Sequence, residues 1–197
     1  MAGMRPMRIP GRWREGFVLD YHTTESVYLG DDEYGHPMFD TKRTELGELL
    51  YRLKYRSDTS VVDELVRTAS DFVNSWKPGA DLIVPVPPSR SGRPVQPVLL
   101  LAESLSERLG IPLIDDCLTR VRDIPELKNV YQYDERLRLL FGAYDAKPYR
   151  IPGQRILLFD DLYRSGATMN AVAAALYDQG QAADVFALAI TRTRSKS

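Results

Sequence analysis

Arg155-Ile-Leu-Leu-Phe-Asp-Asp-Leu-Tyr-Arg-Ser-Gly-Ala-Thr-Met169 is the stretch on which the reading of this chain turns. Ile156 to Phe159 is a short unbroken apolar run, as a strand covered on both faces of a parallel sheet requires. Asp160 and Asp161 follow at once, where α/β sheets gather ligands at the C-terminal ends of their strands. Ser165-Gly166-Ala167-Thr168 then supplies two hydroxyls and the N–H groups of a helix start, a combination that suits a phosphate. Paired carboxylates accept from sugar hydroxyls, so the segment reads as a site for a phosphorylated sugar. A chance acidic turn in a dinucleotide-type fold explains the acids, but not the hydroxyl-bearing loop in register behind them.

Outward from this segment, strands and helices alternate. Asp81 to Val86 reads as the first core strand. The loop 87–94, with Pro88, Ser89 and Arg90, follows it, and Pro94 to Leu109 reads as a helix closed by Gly110. Ile111 to Ile114 is the next expected strand, Leu139 to Tyr144 another, Ala167 to Tyr177 a helix and Asp184 to Ile190 the last strand. Upstream, Leu46, Leu49, Leu50 and Leu53 make a helical stripe over 44–56, with Arg52, Lys54 and Arg56 favouring its C-terminal dipole. A second helix is expected from Ser60, with Asp63 completing a capping box, to Trp76. Glu15 to His22 reads as a strand with Ser26 to Leu29 as its hairpin partner, so 15–40 is expected to form a small β appendage. Right-handed crossovers between such units give a parallel sheet. If the strands ending at Val86 and Asp161 are neighbours, their loops face one crevice.

At 197 residues and 44% hydrophobic, the chain can bury one sizeable core with a small appendage. A net charge of −1 gives no general pull toward nucleic acid. Tyr131, Tyr133, Arg136 and Arg138 offer only a faint version of the basic, aromatic pattern a single strand would need. One cysteine, Cys117, excludes an internal disulfide framework, and His22 and His36 lie in no metal-ligand spacing. No apolar run reaches membrane-spanning length and the N-terminus lacks a signal-type apolar region, so a cytoplasmic protein without a membrane partner is expected.

The strand, acid pair and Ser-Gly-Ala-Thr loop resemble the phosphoribosyl pyrophosphate motif of the type I phosphoribosyltransferases. Leu53-Lys-Tyr-Arg56, Leu82-Ile-Val-Pro-Val-Pro87, Arg120-Val-Arg-Asp123, Gly142-Ala-Tyr144 and the acid-pair motif occur in the order seen in the ComF family, linked to bacterial competence. The resemblance covers roughly residues 44–192. It departs in having no four-cysteine zinc ribbon, a shorter loop after Val86, and Arg164 where threonine is common.

The resemblance implies an α/β fold, a type I phosphoribosyltransferase-like parallel sheet flanked by helices, with an N-terminal β appendage or hood over 1–43 and the main domain over 44–197. It implies phosphoribosyl pyrophosphate and Mg²⁺ as ligands. Asp160 and Asp161 would hold the ribose hydroxyls and the metal, and Arg164, Ser165, Gly166, Ala167 and Thr168 the 5-phosphate. Pro88, Ser89 and Arg90 would line the pyrophosphate site, with Arg120, Arg122 and Lys128 as a closing lid. The acceptor, a base or amine, is not readable. A homo-oligomer is expected, and the alternative is a non-catalytic member of the family that senses phosphoribosyl pyrophosphate or aids DNA handling. The absence of G-x-S-x-G and G-x-G-x-x-G argues against other α/β enzymes.

Overall fold

The computed structural model of the chain describes residues 3–88, 95–121, 133–140, 142–147 and 150–194. The strands are β1 (Met7–Arg8), β2 (Glu15–Tyr21), β3 (Thr23–Asp31), β4 (Pro37–Arg43), β5 (Leu82–Pro85), β6 (Leu118–Arg120), β7 (Tyr144–Ala146), β8 (Arg155–Tyr163) and β9 (Asp184–Arg192). The helices are α1 (Glu45–Arg56), α2 (Val62–Trp76), α3 (Pro97–Leu109), α4 (Tyr133–Leu140) and α5 (Ala167–Asp178).

One sheet runs β1-β2-β9-β8-β5, parallel throughout except for the short antiparallel β1–β2 pair. Strand alternation sorts its side chains onto two faces. Leu157 and Phe159 of β8, with Leu188 of β9 and Leu19 of β2, pack against α1, α2 and α3. Ile156, Leu158, Ala187 and Val18 pack against α5 and the β6–β7 pair. Each face therefore has its own fully buried core, and the fold is three-layered.

The motif strand and its helix lie where the apolar run and the small-residue loop put them. β8 does not stop at the acids, however. It pairs with β5 only from Ile156 to Phe159, but with β9 as far as Tyr163. β5 and β8 are parallel neighbours, and their chains leave in opposite directions. From β5 the chain passes through α3 to Leu113, which bridges the outer side of Ile83, whereas α5 returns the chain from β8 to β9. The β5–β8 boundary is thus the switch point of the sheet.

Five expectations need correction. Glu15–Tyr21 does not pair with the segment at 26–29. It is a central strand beside β9, because Phe17, Val18 and Leu19 are apolar toward both faces, and Phe17 joins Phe72, Trp76 and Phe186 in an edge-on aromatic cluster. Of residues 15–43, only β3 and β4 stand apart, as a two-stranded sheet exposing Tyr28, Leu29 and Phe39. The segment 139–144 is not one strand: Leu139 and Leu140 end α4, Gly142 adopts φ +63°, and β7 starts only at Tyr144, paired with β6. Ile111–Ile114 contributes a single bridge rather than a full strand. Finally, Asp58 rather than Ser60 caps the second helical segment: its carboxylate accepts from the Ser60 N–H, a 3₁₀ turn follows, and α2 begins at Val62. The third helix begins at Pro97, at the N1 position that tolerates a missing N–H, instead of Pro94.

Candidate functional site

The last hydrogen bond between β5 and β8 runs from the Val86 N–H to the Phe159 carbonyl, 2.8 Å. The next two residues of β8 are Asp160 and Asp161, so the acids sit just beyond the end of β5, beside the loop leaving it. Consecutive strand residues face opposite ways, and this separates the two carboxylates. Asp160 lies in register with Ala189, on the face of α5, β6 and β7. Asp161 turns to the other face, where the Lys54 ammonium of α1 donates to its Oδ1 at 2.8 Å. That pair is shielded, with side-chain exposures of 13% and 11%.

The electrostatics differ accordingly. Burial, followed by the Asp161 charge, pushes the Asp160 carboxyl up to about 7, with Lys54 and the N–H groups of Asp161 and Leu162 opposing. Asp160 still keeps a partly exposed surface, and its Oδ1 accepts from the Asp161 N–H at 2.8 Å. His22, just after β2, hydrogen-bonds the Thr191 hydroxyl at 3.1 Å. Burial, then Lys54 and Arg43, lower its imidazole to about 4, so the ring is neutral near pH 7. Sequence reasoning gave Lys54 a helix-dipole role and His22 none. Neither contact has a local signal, since Lys54 and Asp161 are 107 positions apart.

The loop beyond the acids is built to present backbone. Gly166 adopts φ +79°, and a Cβ there would lie 2.4 Å from the Tyr163 hydroxyl, so both the conformation and the space require glycine. α5 starts immediately after it, with Ala167 buried and Thr168 half-buried. Ser165 Oγ accepts from the Ala167 N–H at a long 3.4 Å, and Arg164 is exposed. The expected phosphate residues are therefore gathered in one turn at the sheet's C-terminal edge.

Pro88 is half-buried just past β5. Arg120 is a half-buried member of β6, paired with Tyr144. Burial pushes the Tyr144 phenol up, and the nearby Arg120 and Asp160 charges act on it in opposite senses. This puts Arg120 and Asp160 on the same side of the sheet. Ser89, Arg90, Arg122 and Lys128 lie outside the described residues.

Among the described residues no group of three or more His, Cys, Asp or Glu side chains could by itself enclose a metal. Asp160, on the α5 face, nevertheless suits Mg²⁺, a hard ion that commonly takes one or two carboxylates and completes its shell with water and substrate oxygens.

No family model matches the chain. The competence protein ComFC of Bacillus subtilis (strain 168) is 31% identical over 150 residues, 74% of this chain and 59% of that protein. The chain thus spans little more than half the length of that relative. Among solved structures, the adenine phosphoribosyltransferase of Leishmania tarentolae is similar at a TM-score of 0.50 and 8% identity, over 95% of this chain and 94% of that one. The adenine phosphoribosyltransferase of Saccharomyces cerevisiae matches with a TM-score of 0.48 and 12% identity over 84% of this chain and 83% of its own. In fold the chain is a type I phosphoribosyltransferase-like protein, and in sequence it is similar, over 74% of its length, to the competence protein ComFC of Bacillus subtilis.

Proposed function

We propose that the chain binds phosphoribosyl pyrophosphate with Mg²⁺ at the C-terminal edge of β5 and β8 and transfers the phosphoribosyl group to a base or amine, releasing pyrophosphate. The observation that carries this reading is the side-by-side, parallel placement of β5 and β8 at the switch point, with the acids and the glycine loop at the same end. The loop of Arg164, Ser165, Gly166, Ala167 and Thr168 would hold the 5-phosphate. Asp160 would accept from the ribose hydroxyls. Asp161, whose carboxylate faces Lys54 on the other side of the strand, would act on the metal only through water. Pro88, Ser89 and Arg90 would line the pyrophosphate side, and Arg120, Arg122 and Lys128 would stabilise charge gathering on the leaving group. Bound Mg²⁺ would supply charge neutralisation at that pyrophosphate. The β3–β4 hairpin, at the margin of the 1–43 segment, is the candidate hood over the acceptor.

Isothermal titration with phosphoribosyl pyrophosphate and Mg²⁺ tests this. The wild-type chain should bind, and Asp160→Asn/Asp161→Asn should not; equal binding by both would remove the acids' role. The relative's name, a competence protein, supports a second reading in which binding occurs without transfer. Pyrophosphate release with a panel of bases and amines separates the two.

A further inference from the structure

The segment between β1 and β2 forms a strap over α5. Trp13 is buried, and its indole N–H donates to the Ile9 carbonyl at 2.9 Å, folding the strap on itself. At the start of α5 the strap meets the glycine loop through one side chain. The Arg12 backbone N–H donates to Asn170 Oδ1 at 2.7 Å, and the Asn170 Nδ2 donates to the Gly166 carbonyl at 2.9 Å. Only one orientation of the amide meets both demands, because its oxygen must face an N–H and its nitrogen a carbonyl. A second tether runs from the Tyr163 hydroxyl to the Pro10 carbonyl at 3.5 Å, and the same phenol occupies the space beside the Gly166 α-carbon. At the far end of α5, the Arg12 guanidinium grips both carboxylate oxygens of Asp178, at 2.5 and 2.9 Å.

We infer that Asn170 is a positioning residue for phosphate binding, with the strap as its support; this rests on reading the 164–168 loop as the 5-phosphate site. The Gly166 carbonyl accepts twice, from the Asn170 backbone N–H at 2.8 Å and from the side-chain amide. The peptide joining Gly166 to Ala167 is planar, so fixing its carbonyl along the helix fixes the Ala167 N–H in the opposite direction, out of the helix start. That N–H makes only the long 3.4 Å bond to Ser165 Oγ, and it is one of the donors an oxyanion at the loop would take over. Without the side-chain amide, a peptide flanked by a positive-φ glycine is freer to rotate, and the donor loses its aim.

The test uses the full chain with two probes, ribose 5-phosphate and pyrophosphate with Mg²⁺, titrated calorimetrically beside a thermal melt. Asn170→Ala should weaken ribose 5-phosphate binding about fivefold, as loss of one ordinary hydrogen bond predicts, while pyrophosphate binding stays within about twofold. Asn170→Asp keeps the acceptor for Arg12 but loses the donor to Gly166, and should weaken ribose 5-phosphate at least as much. Asp178→Ala, about 12 Å from Asn170 along the helix, should loosen the strap and give a smaller loss of the same ligand. The inference is overturned if Asn170→Ala and Asn170→Asp bind ribose 5-phosphate as the wild type does. It is equally overturned if both probes weaken together with a falling melting temperature, the mark of a merely structural residue. A wild type that binds neither ribose 5-phosphate nor phosphoribosyl pyrophosphate would instead overturn the site itself.

Discussion

Replacing Gly47 with alanine sets two effects of known size against each other. Gly47 is in the first turn of α1, and inside a helix alanine is favoured over glycine by about 1 kcal/mol. In the folded protein, however, a Cβ at this position would fall 1.9 Å from the His22 carbonyl oxygen and 2.8 Å from its carbon. Those are backbone atoms at the end of β2, tied to Arg192 by the His22 N–H at 2.7 Å, and they cannot rotate aside as a side-chain tip would. Relief requires α1 to move more than about 1 Å from the sheet, disturbing the Thr44 hydroxyl's bond to the Tyr21 carbonyl at 2.5 Å and the face holding Leu46 and Leu50. Overpacking of this kind costs about 1–3 kcal/mol, and more where backbone must shift. We take about 3 kcal/mol against the 1 kcal/mol propensity gain, a net loss of about 2 kcal/mol. For a chain of this length the melting temperature should fall by roughly 4–8 °C, read by circular dichroism or calorimetry. An unchanged or higher melting temperature would refute the close approach of α1 to β2.

Three further outcomes follow from the same structure. Lys54→Met should cost about 3 kcal/mol in urea denaturation by stranding a shielded Asp161 carboxylate, and Asp161→Leu added to it should recover most of the loss; additive losses would show that the pair is not coupled. Between pH 6.5 and 4, unfolded His22 takes up a proton that the folded ring does not, so acid destabilises through His22. Between about 7 and 3.8, folded Asp160 takes up a proton that the unfolded chain does not, so acid stabilises through Asp160. His22→Gln should therefore gain stability relative to wild type between pH 7 and 4.5, by on the order of 1–2 kcal/mol after allowing for partial exposure, while Asp160→Asn should lose it. Parallel pH profiles for all three proteins would contradict both assignments. Burial, and then Asp116, push the Cys117 thiol up to about 11, so iodoacetamide should label native protein at pH 8 far more slowly than protein in urea; equal rates would place the thiol at the surface.

What could be read from the chain was mostly local. The Ile156–Phe159 run, the acids and the small-residue turn lie within a few residues of one another, and so do the leucine stripe of α1 and the buried stripe of α2. The misreadings fell where a distant partner decides. Glu15–Tyr21 looks like half of a hairpin until β9, some 170 positions on, takes it into the sheet. Leu139-Leu140-Phe141 is too short an apolar run to distinguish a helix end from a strand. The link between Asn170 and Gly166 is a local i, i+4 pair, but its tie to Arg12 spans 158 positions and leaves no periodic trace. The acids themselves were read correctly as neighbours in sequence; that their side chains part company follows only once β8 is seen to continue to Tyr163.

That continuation makes β8 a sorting device with a two-step code. One extra residue between Phe159, the last residue paired with β5, and Asp160 would hand Lys54 the Asp160 carboxylate and turn Asp161 to the face of α5. Length changes in this strand are therefore tolerable only in even numbers, or with a bulge that absorbs the odd residue.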